Sequence, residues 1–271
     1  MNTLFTLRGL GHRGRVLAHQ LSLERPPRPA HASAGIELTV VDLADPRVEL
    51  ALLASTVVSD DAIQRRVALV LAPRAFDLAS APPALHVVRE QFDAWIPVLP
   101  FEVTHPHQDP ELGLRSGYLP SLRTIFWRLA RMLQHPGIVD FDDDDFEELW
   151  TNGTTLWSFS ATASGPTRAE LAAQLLEASG AEPLLWNATS RRWMMQITAS
   201  ALGDDQLQME EIVALTEPFS AEPFQLEGIR WAISYDDDLA DRLVVDVLAV
   251  GEPIAQAASA ETALVGAHRM S

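Results

Sequence analysis

The sequence predicts an α/β fold with a Rossmann-like parallel-sheet N-terminal domain, a long central helix and a smaller α+β C-terminal domain with a four-stranded sheet. Between residues 4 and 99, short apolar runs alternate with helical segments, which is typical of a parallel sheet with helices on its faces. Apolar side chains then recur every three to four residues from Leu122 to Leu133, which predicts a long amphipathic helix. Beyond residue 150, four strand-like runs are separated by two helical segments.

The N-terminal half begins with a strand, a glycine-rich segment and a helix. The strand Leu4–Leu7 is followed by GLGHRG, which spans Gly9 to Gly14, and by the helical run VLAHQL. This order opens many nucleotide-binding α/β domains. Three more strands and one helix are predicted before residue 100, at residues 36–42, 67–72, 84–92 (the helix) and 95–99.

The C-terminal half predicts a mixed set of elements after the central helix at residues 118–135. They are a short helix at 146–150, a strand at 156–163, helices at 167–178 and 208–218, and strands at 193–200, 228–235 and 242–250. We therefore expect a nucleotide-binding-like domain at 1–115, the central helix at 116–135, a C-terminal domain at 136–250 and a flexible tail at 251–271.

Composition excludes several classes of chemistry. The 271 residues include no Cys and no Lys, and the formal net charge is -17. Without Cys there is no thiolate nucleophile or cysteine-ligated metal, and without Lys there is no Walker-type lysine or Schiff base. The net charge argues against nucleic-acid binding. We expect a cytoplasmic location without membrane association, because no apolar run is long enough to span a bilayer and Arg8 and Arg13 interrupt any signal-like segment.

Three segments carry a resemblance to a known family. They are PGIVDFDDDDFEEL from Pro136, GTTLWSFSATASGPTRAELAAQLL from Gly153, and DDDLADRLVVDVLAVG from Asp236. In order and spacing they resemble three segments of the bacterial division protein FtsZ, and GLGHRG lies where FtsZ has its first glycine-rich loop. The chain thus resembles the tubulin/FtsZ superfamily.

The resemblance implies a filament subunit whose GTPase site is completed by the next subunit. Asp140 and Asp143 match, in spacing, the two aspartates of the loop that acts on the neighbour's nucleotide. Ile138 stands where the family has an asparagine. The four aspartates from Asp142 to Asp145 also suit a solvated helix start, so a purely structural role stays open.

The nucleotide-binding side departs from the family pattern. Gly9, Gly11 and Gly14 would form a vestigial phosphate loop. The family's second loop, GGGTGTG, is replaced by PRAFDLASAPPA, which has no glycine and adds Asp77. Tyr118 could stack on a base or serve only in packing. We therefore expect no cofactor, and GTP or GDP is the alternative occupant.

Three functions remain open. The first is a non-catalytic pseudo-GTPase that assembles head to tail with itself or binds an FtsZ-type filament. Arg8, Arg13 and Arg15 would then meet the neighbour's acidic loop. The second is a divergent GTPase that uses Asp140 and Asp143.

The third candidate is an NAD-dependent oxidoreductase. It would use GLGHRG, with Asp42 on the ribose hydroxyls. We predict no metal site. The alternative is a site formed by His105 and His107 with Asp109, in a proline-rich loop.

Overall fold

The computed structural model describes residues 5–23, 35–54, 63–72, 82–100, 117–134, 139, 141, 145–146, 150, 153–180, 192–220 and 228–250. Within these ranges eight strands and six α-helices are defined. The strands are β1 Phe5–Leu10, β2 Gly35–Val41, β3 Ile63–Leu71, β4 Ala94–Val98, β5 Thr154–Ser164, β6 Arg192–Ala199, β7 Gly228–Tyr235 and β8 Arg242–Val250. The helices are α1 Gly11–Ser22, α2 Val48–Ala54, α3 Pro83–Gln91, α4 Tyr118–Gln134, α5 Arg168–Gly180 and α6 Met209–Ser220.

The strands form one eight-stranded sheet in the order β1-β2-β3-β4-β5-β8-β6-β7. The first four are parallel, so their carboxyl ends lie at one edge. β5 is parallel to β4 over only two residues, Thr154 and Thr155, and then runs antiparallel to β8. β5 therefore links the parallel part of the sheet to the mixed part.

Helices cover both faces of the parallel part. Six consecutive residues of β2, from Ile36 to Val41, are buried, as expected for a strand packed on both sides. α1 and α4 share one apolar cluster on one face, whereas α2 and α3 cover the opposite face. α5 and α6 pack on the C-terminal strands in a third cluster.

The central helix α4 has the inward face that its spacing predicts. Ile125, Phe126 and Leu129 are buried, and Leu133 packs partly buried against the same cluster. This confirms the predicted orientation of the helix.

A buried ionic network joins α4 to the C-terminal strands. The Arg128 Nε donates to Asp246 Oδ1 at 3.0 Å, and the other guanidinium nitrogens donate to Ser158 and Ser160. Arg131 reaches the second oxygen of Asp246 at 2.9 Å. Burial lowers the pKa of Arg128, and the attraction of Asp246 opposes this effect. Because Asp246 is fully buried, this contact fixes the position of α4 on the sheet.

The predicted α/β fold class is confirmed, with two local differences. β1 extends to Leu10, so Gly9 lies in the strand and Gly11 begins the helix. α2 was not predicted, because its seven residues are too few to show a helical period. The domain boundaries stay a prediction, and the proposed tail lies outside the described residues. No helix of the described segments has the length and hydropathy needed to span a membrane.

Candidate functional site

The three glycines of GLGHRG allow close packing of α1. A Cβ on Gly9 would lie 2.4 Å from the Gly14 carbonyl oxygen, and a Cβ on Gly14 would lie 2.6 Å from the Val40 carbonyl oxygen. Gly11 has φ +77°, a conformation that favours glycine. These residues bring the first turn of α1 directly against β1 and β2 at the carboxyl edge of the sheet.

The turn between β2 and α2 lies beside the N-terminus of α1. Asp45 Oδ2 accepts a hydrogen bond of 3.0 Å from the His12 backbone N–H. The Asp45 side chain is only 7% exposed. A helix N-terminus carries unpaired N–H groups and a partial positive charge, so it attracts an anion. Here the anion is a carboxylate of the same chain.

Asp45 is held in place from its own turn as well. Its Oδ1 accepts from the Arg47 backbone N–H at 3.0 Å and from the Arg47 Nε at 3.1 Å. The hydrogen bonds from the Arg47 side chain and from the backbone of Arg47 and His12 keep the pKa of Asp45 far below its ordinary value. The side chain is therefore a carboxylate at any physiological pH.

A second carboxylate of the turn binds the next residue of α1. The Arg13 Nε and Nη2 donate to the two oxygens of Asp42 at 2.9 and 2.7 Å. The hydrogen bond to Asp42 raises the pKa of Arg13. Asp42 is nearly buried, with its side chain 4% exposed. This bidentate pair is the geometry in which an arginine–carboxylate contact is strongest.

An open cleft of about 250 Å³ adjoins this pair, lined by His12, Arg13, Val16, Leu17 and Tyr118. The Arg13 guanidinium carbon lies 5.7 Å from the centre of the Tyr118 ring, within cation–π range. The Tyr118 hydroxyl donates to the Ala72 carbonyl oxygen at 3.2 Å. Burial raises the pKa of Tyr118. Tyr118 thus joins the start of α4 to the end of β3 and also offers a ring face at the cleft.

Asp140 and Asp143 lie outside the described residues, but their neighbours are described. The Ile233 N–H donates to the Val139 carbonyl oxygen at 2.9 Å, Phe141 packs edge-on against Phe146, and Asp145 forms an ion pair with Arg230. The residues at both ends of the acidic segment, which runs from Asp140 to Asp145, thus contact β7.

The length of α4 separates the cleft from the acidic segment. Tyr118 at the cleft is the first residue of α4, and Val139 follows its last residue by five positions. A helix of 17 residues is about 25 Å long. The cleft beside Tyr118 and the acidic segment would therefore meet only if the acidic segment of one subunit approached the cleft of another.

No group of three or more His, Asp or Glu side chains suited to hold a metal is found in the described part of the chain. His105, His107 and Asp109 lie outside it. Asp77 lies outside it as well.

Sequence reasoning missed Asp45 and Arg47. A usable signal was present, since Asp45 precedes Pro46 and the run VELALLA, a pattern typical of a helix start. Since β2 lies between β1 and β3, the turn beside α1 is the one that follows β2.

Solved structures of the tubulin/FtsZ group are similar to the chain. A single-residue mutant of FtsZ from M. jannaschii is 14% identical with a TM-score of 0.58, over 81% of this chain and 65% of that one. The GTPγS-bound protofilament of CetZ2 from Haloferax volcanii is 16% identical with a TM-score of 0.55, over 89% and 71%. A GTPγS-form protofilament of TubZ from Bacillus thuringiensis serovar israelensis is 10% identical with a TM-score of 0.53, over 87% and 68%.

The chain therefore has the tubulin/FtsZ-like fold, which confirms the predicted resemblance at the level of architecture. It spans about two thirds of the length of that FtsZ. No protein-family model and no curated protein matches the chain.

Proposed function

We propose that this protein is a non-catalytic subunit of an FtsZ-like assembly, which associates head to tail with itself or with an FtsZ-type partner and does not turn over GTP. The observation that carries the proposal is the contact of Asp45 with the N-terminus of α1. The position where this fold would place a phosphate is filled by the protein's own carboxylate.

Electrostatics argue against a polyphosphate in the same place. A phosphate at the N-terminus of α1 would lie within a few ångströms of both Asp42 and Asp45, and like charges at such distances repel each other. Arg13 could offset part of this charge, but its guanidinium is already bound to Asp42. The segment after β3 offers no glycine to replace these contacts.

Head-to-tail association is supported by the fold and by the separation along α4. Two of the similar structures are protofilaments of their own proteins. In this chain Arg8 is paired with Glu37 and Arg13 with Asp42. Arg15, which is exposed on α1, is therefore the arginine best placed to meet an acidic segment of a neighbour.

A divergent GTPase is the second candidate. Tyr118 presents a ring face at an open cleft, and the chain carries acidic residues at the family's catalytic loop. In this alternative a nucleotide would have to displace Asp45 from α1. The dinucleotide enzyme is less well supported, because the two carboxylate oxygens of Asp42 that would bind a ribose already accept hydrogen bonds from Arg13.

Titration calorimetry with GTP, GDP and NAD, together with phosphate release from GTP, tests the proposal. We expect no binding heat at micromolar protein and no phosphate release above the buffer rate. Asp140→Ala should then behave as the unmodified chain does. Micromolar GTP binding with turnover that Asp140→Ala abolishes would establish the second candidate instead.

A further inference from the structure

We infer that the turn from Asp42 to Arg47 is a built-in ligand that takes the organising role of a nucleotide phosphate and holds the N-terminal elements in one fixed arrangement. This inference rests on the proposed function and adds to it. Absence of nucleotide would then leave these N-terminal elements in place and the subunit competent to assemble.

The turn has the contacts that a bound anion would make. Asp45 accepts a hydrogen bond from the backbone N–H of His12 at the start of a 12-residue helix. Asp42 accepts two hydrogen bonds, from Nε and Nη2 of Arg13. Backbone N–H groups at a helix start and a forked guanidinium are the two donor types that proteins use for phosphate.

The turn also leaves no room for a second anion. A Cβ on Gly11 would lie 3.1 Å from the Cβ of both Asp42 and Asp45. The turn is thus in near van der Waals contact with the backbone at the helix start, and an anion could reach the His12 N–H only in the place that the Asp45 carboxylate occupies.

From the turn, a continuous set of contacts reaches the central helix. Asp42 fixes Arg13, Arg13 lies over the ring of Tyr118, and the Tyr118 hydroxyl bonds to Ala72 at the end of β3. The β2–α2 turn, α1, α4 and β3 converge on these side chains. A ligand that bridges four elements fixes their relative positions, and here side chains of the protein do so.

Hydrogen exchange of three variants tests the inference. Asp45→Ala removes the acceptor, and Asp45→Asn keeps the shape but removes the charge. Asp236→Ala is the matched control, because Asp236 also accepts a backbone N–H, from Asp238 at 3.1 Å, but lies in the β7–β8 connection. Each protein is measured with and without added inorganic phosphate.

The expected result is local and reversible by an anion. The His12 amide and the hydrogen-bonded amides of the second turns of α1 and α4 should exchange about five- to tenfold faster in Asp45→Ala, the effect expected from loss of a helix N-cap, with a smaller change in Asp45→Asn. Phosphate should restore slow exchange in Asp45→Ala alone, because only that variant opens an anion-binding helix start. The control should change only near the β7–β8 connection.

Two results would overturn the inference. One is unchanged exchange in α1 of Asp45→Ala. The other is faster exchange that phosphate does not reverse, since the turn would then be an ordinary packing element. Either result can occur while the unmodified chain still fails to bind GTP, so this test and the test of the proposed function are independent of each other.

Discussion

Gly9 and Gly14 lack side chains at positions where the backbone of another segment occupies the space that a Cβ would need. A glycine pattern that predicts a phosphate loop is thus also required by the close packing of α1 on β1 and β2. The assignment of Gly9, Gly11 and Gly14 to a vestigial phosphate loop stays a prediction. Their steric role can be tested without any ligand.

We expect Gly14→Ala to destabilise the protein by about 1–3 kcal/mol, the usual cost of forcing an extra methyl group into a packed site. Alanine gains about 1 kcal/mol of helix propensity over glycine, but contact at 2.6 Å with the Val40 carbonyl should outweigh this gain. Urea unfolding measures the difference. Gly228→Ala is the control, because a Cβ there meets no atom within 4 Å. Equal midpoints for the two variants would mean that α1 packs less closely than described.

At the scale of elements, the central helix shows what the sequence can and cannot predict. The inward positions of Phe126 and Leu129 follow from helical spacing alone, since burial of an apolar stripe is a local property. Arg128 also faces inward, and no local pattern indicates this. Its partner Asp246 is 118 residues away along the chain, so only the register of the assembled sheet brings the two together.

The Arg128–Asp246 pair should couple α4 to the C-terminal strands. Arg128→Met leaves a fully buried carboxylate with Arg131 as its remaining cation, and we expect a loss of about 3–5 kcal/mol in unfolding free energy. Arg131→Met should cost much less, because its side chain is 39% exposed and water can replace it. Urea unfolding of Arg128→Met, of Asp246→Leu and of the double variant gives the coupling energy of the pair. A double variant whose loss equals the sum of the two single losses would show that the pair does not act as a unit.

The turn between β2 and α2 is the element that most changes the interpretation of the site. Its sequence contains a helix-start signal at Asp45, but the local sequence does not indicate that this carboxylate faces α1 and not solvent. That information lies in the pairing of β1 with β2, which places two turns side by side. Sequence reasoning therefore predicted the order strand, glycine segment, helix, but it placed the helix start after the glycines and missed the group that binds to it.

At the scale of the whole molecule, the alternation of strands and helices predicts the α/β class, and three C-terminal segments predict the tubulin/FtsZ-like fold. The first five strands follow the order of the chain, as consecutive strands usually do, but the position of β8 between β5 and β6 could not be predicted because it depends on contacts between residues far apart in the sequence. The assignment of Asp140 and Asp143 as residues of an intersubunit contact stays a prediction, because it depends on a second subunit.

Electrostatics should influence any head-to-tail contact. The acidic segment from Asp140 to Asp145 would face an exposed Arg15, and a rim ion pair of this kind contributes about 0.2–1 kcal/mol and weakens with salt. Arg15→Glu is therefore expected to weaken assembly. Arg192→Glu is the matched control, with the same charge change at the exposed first residue of β6.

The most direct test of the central claim is sedimentation of nucleotide-stripped protein, with the pellet examined by electron microscopy. Filaments should form without nucleotide, and adding GTP or GDP should leave the pelleted fraction unchanged. The fraction should fall between about 0.05 and 0.5 M salt, as the Debye length shortens, and should fall with Arg15→Glu but not with Arg192→Glu. If the stripped protein instead stays in the supernatant and filaments appear only when GTP is added, the protein is a nucleotide-dependent subunit and the central claim is wrong.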